Sequence, residues 1–181
     1  MTITLPQRIT PDLLAFCATI SERRPIYVRS RPAPDAQFSA CFANVERRIA
    51  KSGGRTVYGW AIWHIPGLYF EAEHHGIWQG RDGKLFDVSP QFGQVAKILF
   101  LPDPAALYDP PNFRWNRFGA DGDNPRALEF VRLARRRLEI REPYHIQEFM
   151  VATLADVDAA ELALVDAELA QILSEHNRQN G

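Results

Sequence analysis

The sequence predicts an α+β fold: an antiparallel sheet of about four to five strands, a cysteine-bearing helix N-terminal to the sheet and packed against it, and a helical extension at the C-terminus. Three observations carry this expectation. Residues 58–90, YGWAIWHIPGLYFEAEHHGIWQGRDGKLFDVSP, read as short strands broken at Pro66-Gly67 and Arg81-Asp82-Gly83, both turn signals. Residues 41–52, CFANVERRIAKS, space Phe42, Val45 and Ile49 as one helical face and run into Gly53-Gly54, a natural stop. Two further helical patterns follow after the last strand, so strands and helices are segregated along the chain.

At 181 residues the chain suits a core domain over 1–108 with a loop and helical extension over 109–181 packed on it. Hydrophobic residues make up 46% and charged residues 24%, with a net charge of −1. That balance excludes a disordered or collagenous chain and lacks the basic surplus of a nucleic-acid binder. The first dozen residues, MTITLPQRITPD, are broken by Pro6 and Pro11, so no signal peptide or membrane span is read there. The expectation is a cytoplasmic protein. Its two cysteines, Cys17 and Cys41, are then free thiols, and without a C-x-x-C pair no zinc ribbon is expected.

Thr10-Pro11-Asp12 opens the first helix with a hydroxyl cap and a proline at the first helical position. Leu13, Leu14, Cys17 and Ile20 form its apolar stripe, which makes Cys17 a core residue. Residues 25–31 read as a strand. The helix that follows is expected to be capped by Ser39, with Cys41 in its first turn, where unpaired N–H groups and the macrodipole favour an anion. Strands are expected over 56–65, 68–79, 84–89 and 96–101. Asp109 is followed by a long polar and aromatic loop. The helix over 125–142 should turn Leu128, Val131 and Leu138 inward and Arg132, Arg135, Arg136, Arg137 and Arg141 outward. Asp158 and Glu161 read as a capping box for the last helix, whose apolar face is Leu162, Val165, Leu169, Ile172 and Leu173.

On the second of the 58–90 strands, His75 shares a face with Glu71, Glu73 and Ile77, and His74 with Phe70, Ala72, Gly76 and Trp78. One face of the hairpin is read as greasy and the other as polar. A three-residue turn with Gly83 in the left-handed conformation pairs Gly80 with Lys84, Ile77 with Asp87 and His75 with Ser89. Asp87 is then diagonal to His75 on the same face. A two-residue turn would bring Asp87 to His74 instead. The glycine at 83 favours the first arrangement.

Acyl transfer by a thiol requires a thiolate, an imidazole to take and return a proton, and a group that orients the imidazole. Cys41, His75 and Asp87 supply these in chain order. Glu71 and Glu73 would help to hold His75 as imidazolium. The Cys41 N–H and the Gln37 amide are the oxyanion donors to consider, and Asn44, Trp60 and Glu73 join Gln37 as oxyanion or substrate-binding candidates.

The segment HHGIWQGRDGKLFDVSP resembles the histidine and aspartate hairpin of the papain-like superfamily in its transglutaminase-like branch. The run CFANV is similar to the nucleophile helix of protein N-terminal glutamine amidohydrolases, in which an aromatic precedes the catalytic histidine, the place His74 takes here. The resemblance covers about 39–90. It implies a papain-like core and a cysteine hydrolase or acyltransferase acting on an amide of a small molecule or peptide, with no cofactor.

Two other readings stand beside it. Glu71, Glu73, His74, His75 and Asp87 are metal-ligating types and suggest a metal-dependent hydrolase, although adjacent strand residues point to opposite faces. Alternatively, a catalytically inactive fold serves as an interaction module. The C-terminal helices, the arginine run and Trp60, Trp63, Trp78 and Trp115 would then form a surface for a protein partner or a second copy of the chain.

Overall fold

The computed structural model describes residues 4–112, 114–147 and 150–180. Its elements are α1 (Pro11–Ala18), β1 (Ile26–Ser30), α2 (Cys41–Ser52), β2 (Arg55–Ile65), β3 (Tyr69–Gln79), β4 (Leu85–Asp87), β5 (Lys97–Pro102), β6 (Arg117–Ala120), α3 (Pro125–Arg141), β7 (His145–Gln147), β8 (Met150–Val151) and α4 (Asp156–Asn180). The fold is α+β. Strand order is β2-β5-β1-β4-β3, and β2 also pairs with β3, which closes the sheet into a small barrel; β6 adds to β3.

The sheet is mixed, not antiparallel. β1 runs parallel to β4, with Arg29 opposite Phe86 and Ser30 opposite Asp87. The two are separated by α2 and the β2–β3 hairpin, a connection long enough for the crossover that parallel pairing demands. The β3–β4 hairpin has the register expected of a three-residue turn. Trp78 faces Phe86, Gln79 faces Leu85, and the Gly80 N–H bonds the Lys84 carbonyl at 2.9 Å. Gly83 adopts φ +79°, which a side chain would strain.

The described residues form two compact units. One holds residues 5–63 and 72–108; the other holds Thr4, 64–71 and 109–180. In the first, Val28, Ala61, Ile77, Ile98 and Phe100 fill the barrel. The face of β3 that carries His75 and Ile77 is therefore buried, and the division of the hairpin into a greasy and a polar face does not hold. Barrel closure covers both faces of β3.

Thr10 caps α1 by accepting from the Leu13 N–H at 3.2 Å. α2 starts without such a cap. Ala40, not Ser39, is the N-cap residue, and no side chain bonds the first-turn N–H groups. Ser39 is instead the turning point into the helix, at φ 56°. The N-cap position thus falls on an alanine, which has no side-chain oxygen to offer. Phe42 carries the helix onto β3: it stacks on Tyr108 with ring centroids 4.0 Å apart and lies 4.8 Å from the His74 ring. A Cβ on Gly76 would meet the Phe42 ring at 2.8 Å, so the close approach depends on glycine there.

In the second unit, Ile65, Leu68 and Tyr69 pack with Phe130, Val131, Leu133, Ala134, Ile140, Val165 and Leu169. Asn124 caps α3, and its side chain accepts from the Ala127 N–H at 2.9 Å. Leu128, expected inside, is 53% exposed, because Phe130 and Leu133 take the inward positions. The expected capping box of α4 does not form. The helix begins three residues earlier, Asp158 accepts from the Tyr144 hydroxyl, and Glu161 pairs with Arg136 at 2.7 and 2.9 Å. Much of the arginine run is likewise engaged: Arg132 with Glu129, Arg136 also with Glu139, Arg137 with Asp166, and Arg135 with the Phe118 carbonyl. Among the described residues no helix is long and apolar enough to cross a membrane.

Candidate active site

Three elements of the barrel unit converge on one imidazole. β3 presents His75, β4 ends on Asp87, and α2 begins on Cys41. Asp87 is fully buried and His75 is 3% exposed, while Cys41 is half-buried. His75 Nε2 donates to Asp87 Oδ1 at 3.1 Å. The Cys41 thiol is near enough to the same ring to act on its charge. Burial alone would lower the affinity of this imidazole for a proton. The charges of Cys41 and Asp87 and their hydrogen bonds outweigh it, and His75 is held well above its ordinary pKa.

Asp87 is fixed on both oxygens. Oδ1 also accepts from the Ser89 N–H at 3.0 Å, and Oδ2 accepts from the Gln91 amide at 2.9 Å. The first is an Asx turn of the kind Asp-Val-Ser-Pro encodes, so it was open to sequence reasoning. Nothing in the sequence singles out Gln91.

Asn44 was read as a substrate or oxyanion contact. It is 2% exposed and serves as an internal bracket. Its Oδ1 accepts from the Gln37 N–H at 2.9 Å, and its Nδ2 donates to the Gln37 carbonyl at 2.7 Å and to Ser89 Oγ at 3.1 Å. One turn of α2 beyond Cys41, it ties the segment entering the helix to the segment leaving Asp87. Gln37 itself is exposed, with its backbone held by that bracket.

Trp60, read as a substrate-binding candidate, is buried. It is 1% exposed, donates from Nε1 to Asp103 Oδ2 at 3.0 Å, and lies 5.4 Å from the His74 ring. Glu73 accepts from Trp63 Nε1 at 2.8 Å. Trp78 donates to the Gly53 carbonyl at 2.9 Å. These bonds place indoles expected on an open surface at covered positions, because an indole N–H taken from water needs an acceptor.

His74 belongs to the structural core. Its Nε2–H donates to the Ala106 carbonyl at 2.8 Å, and Phe42 and Trp60 flank its ring. Adjacent on β3, His74 and His75 thus serve different neighbours, as strand alternation requires. Among the described residues no three His, Cys, Asp or Glu side chains converge as a metal ion would need. Cys17 is 1% exposed, and burial pushes its thiol up to about 12. A cavity of about 410 Å³ in the other unit is lined by Asn112, Arg114, Trp115, Asn116 and Arg117.

The arrangement can do thiol chemistry. A half-buried thiol, at a helix start whose N–H groups no side chain caps, lies near an imidazole that a doubly anchored carboxylate orients. No family model, no curated protein and no solved structure matches the chain.

Proposed function

We propose that the protein is a cysteine-dependent hydrolase or acyltransferase acting on an amide bond, with a papain-like arrangement of Cys41, His75 and Asp87. The observation that carries this reading is the buried His75 ring, bonded to the Asp87 carboxylate and within electrostatic reach of the Cys41 thiol. A carboxylate-bound imidazole with a half-buried thiol nearby at a helix start is arranged for proton transfer.

His75 takes the thiol proton, and the sulfur attacks the amide carbon. The carbonyl electrons move onto oxygen, which faces the uncapped first-turn N–H groups of α2. Collapse of this tetrahedral species breaks the C–N bond, and His75 returns its proton to the departing amine. Water or an acceptor amine then attacks the thioester, with His75 as base, and frees Cys41. Asp87 keeps the ring in the required tautomer and stabilises its charged form.

The test is alkylation followed by intact-mass analysis. Iodoacetamide at pH 6–7 should add one group, on Cys41, while Cys17 reacts only after unfolding. His75→Ala should remove the selectivity. A panel of glutaminyl and peptidoglycan-like amides should then yield an acyl adduct on Cys41. Equal and slow labelling of both cysteines in the wild type would refute the reading.

A further inference from the structure

The stripe of α2 that begins with Cys41 continues through Asn44, Arg48 and Lys51, residues three, seven and ten positions on. Beside it lies a cavity of about 200 Å³, walled by Ala33, Pro34, Asp35 and Ala36 on one side and by Asn44, Arg47, Arg48 and Lys51 on the other. Three cations thus face one carboxylate. In a chain of net charge −1 this surplus is local.

The cations are not consumed by that carboxylate. Lys51 pairs with Asp35 at 2.7 Å, but both side chains are about half exposed, and such pairs contribute little. Arg47 donates to Asn44 Oδ1. Arg48 is the informative residue. Its guanidinium is stacked over the Trp78 ring, 4.7 Å from the centroid, which fixes its plane. Its Nε is out of contact with solvent and donates to no acceptor among the described residues. The outer edge of a guanidinium whose plane is fixed in this way is suited to a fork of two bonds to an oxyanion entering the cavity. The cavity is smaller than a drug-sized pocket and fits a compact charged group.

We infer that this cavity is an oxyanion-binding site, taking a carboxylate or phosphate group on Arg48 with Arg47 and Lys51 beside it. Seven helical residues separate Arg48 from Cys41, about 10 Å along the axis. The anion is accordingly either a free ligand or the acidic end of a substrate whose amide lies at Cys41. The second source rests on the proposed thiol chemistry; the first does not.

Two measurements on the full chain decide it. Inorganic phosphate, titrated against sodium chloride at constant ionic strength, should raise the Tm by roughly 2 °C or more in the millimolar range. The rise should vanish in Arg48→Gln and shrink in Lys51→Gln, an exposed position where folding is not at risk. Separately, 4-(iodoacetamido)butyrate should label Cys41 about 10-fold faster than neutral iodoacetamide, and Arg48→Gln should abolish that preference. A phosphate effect alone identifies a free anion as the ligand, and a labelling preference alone identifies the substrate's acidic end. Absence of both, or persistence of both in the two variants, overturns the site. Neutral iodoacetamide reports the thiol separately, so failure here is distinct from failure of the Cys41–His75–Asp87 reading.

Discussion

His75 is almost sealed from solvent and yet favours its charged form, because Cys41 and Asp87 outweigh the burial that opposes it. Two consequences follow at the scale of the residue. The first concerns pH. A group whose pKa is raised on folding contributes stability that is full below its unfolded value of about 6.5 and is lost as pH rises through the folded value. Thermal stability should therefore decline as pH climbs above the ordinary imidazole range, and His75→Gln should flatten that decline in a series of melting curves. The second concerns Asp87→Asn. The amide matches the carboxylate in shape but neither enforces the tautomer nor balances the imidazolium. Turnover should fall by on the order of 10³ to 10⁴-fold, and alkylation of Cys41 at pH 6 should slow with it. His74→Phe should leave that alkylation rate nearly unchanged, since His74 is bonded to the Ala106 carbonyl. Cys41, His75 and Asp87 were legible as candidates at this scale because each is a chemically distinctive type at an ordered position. Asn44 and Trp60, read as binding candidates, are buried and bonded internally: an amide or an indole serves burial as readily as binding, and local sequence does not show the partners Gln37, Ser89 and Asp103.

At the scale of the element, the approach of α2 to β3 decides whether sulfur meets imidazole. Gly76→Ala would place a methyl 2.8 Å from the Phe42 ring, which Tyr108 and His74 hold from other sides. The helix must shift or the strand must strain. A cost of about 1–3 kcal/mol is expected, readable as a lower Tm together with slower labelling of Cys41. Strands and helices were legible from periodicity and turn chemistry, down to the hairpin register, because Gly83 leaves few ways to close a three-residue turn. Helix starts were less so. Ser39 and the pair Asp158 and Glu161 match capping patterns, but Ser39 sits at φ 56° and the two acids are drawn to Tyr144 and Arg136. Such tertiary partners are invisible to local pattern. The parallel pairing of β1 with β4 was missed on the same ground, since it depends on where a long connection returns.

At the scale of the whole molecule, the end of the β2–β3 hairpin belongs to the unit of α3 and α4, where Ile65, Leu68 and Tyr69 share a core with residues 130–169. A chain cut after Tyr108 would lose that core and leave those three side chains in water. Residues 1–108 alone should therefore be aggregation-prone, running as a broad early peak in gel filtration, whereas the full chain elutes sharply. A sharp monomer peak for the fragment would show that the hairpin end tolerates exposure.

The turn at Arg81-Asp82-Gly83 has a consequence for how such a site is inherited. Arg81 and Asp82 are exposed, and a lineage can exchange them freely. It cannot change their number. Removing or adding one codon would rotate β4 by one residue, move Asp87 off the His75 face and point it toward a histidine already bound to a main-chain carbonyl. Descendants of this gene that keep the bond between His75 and Asp87 should thus vary in the letters of the turn while keeping its length at three.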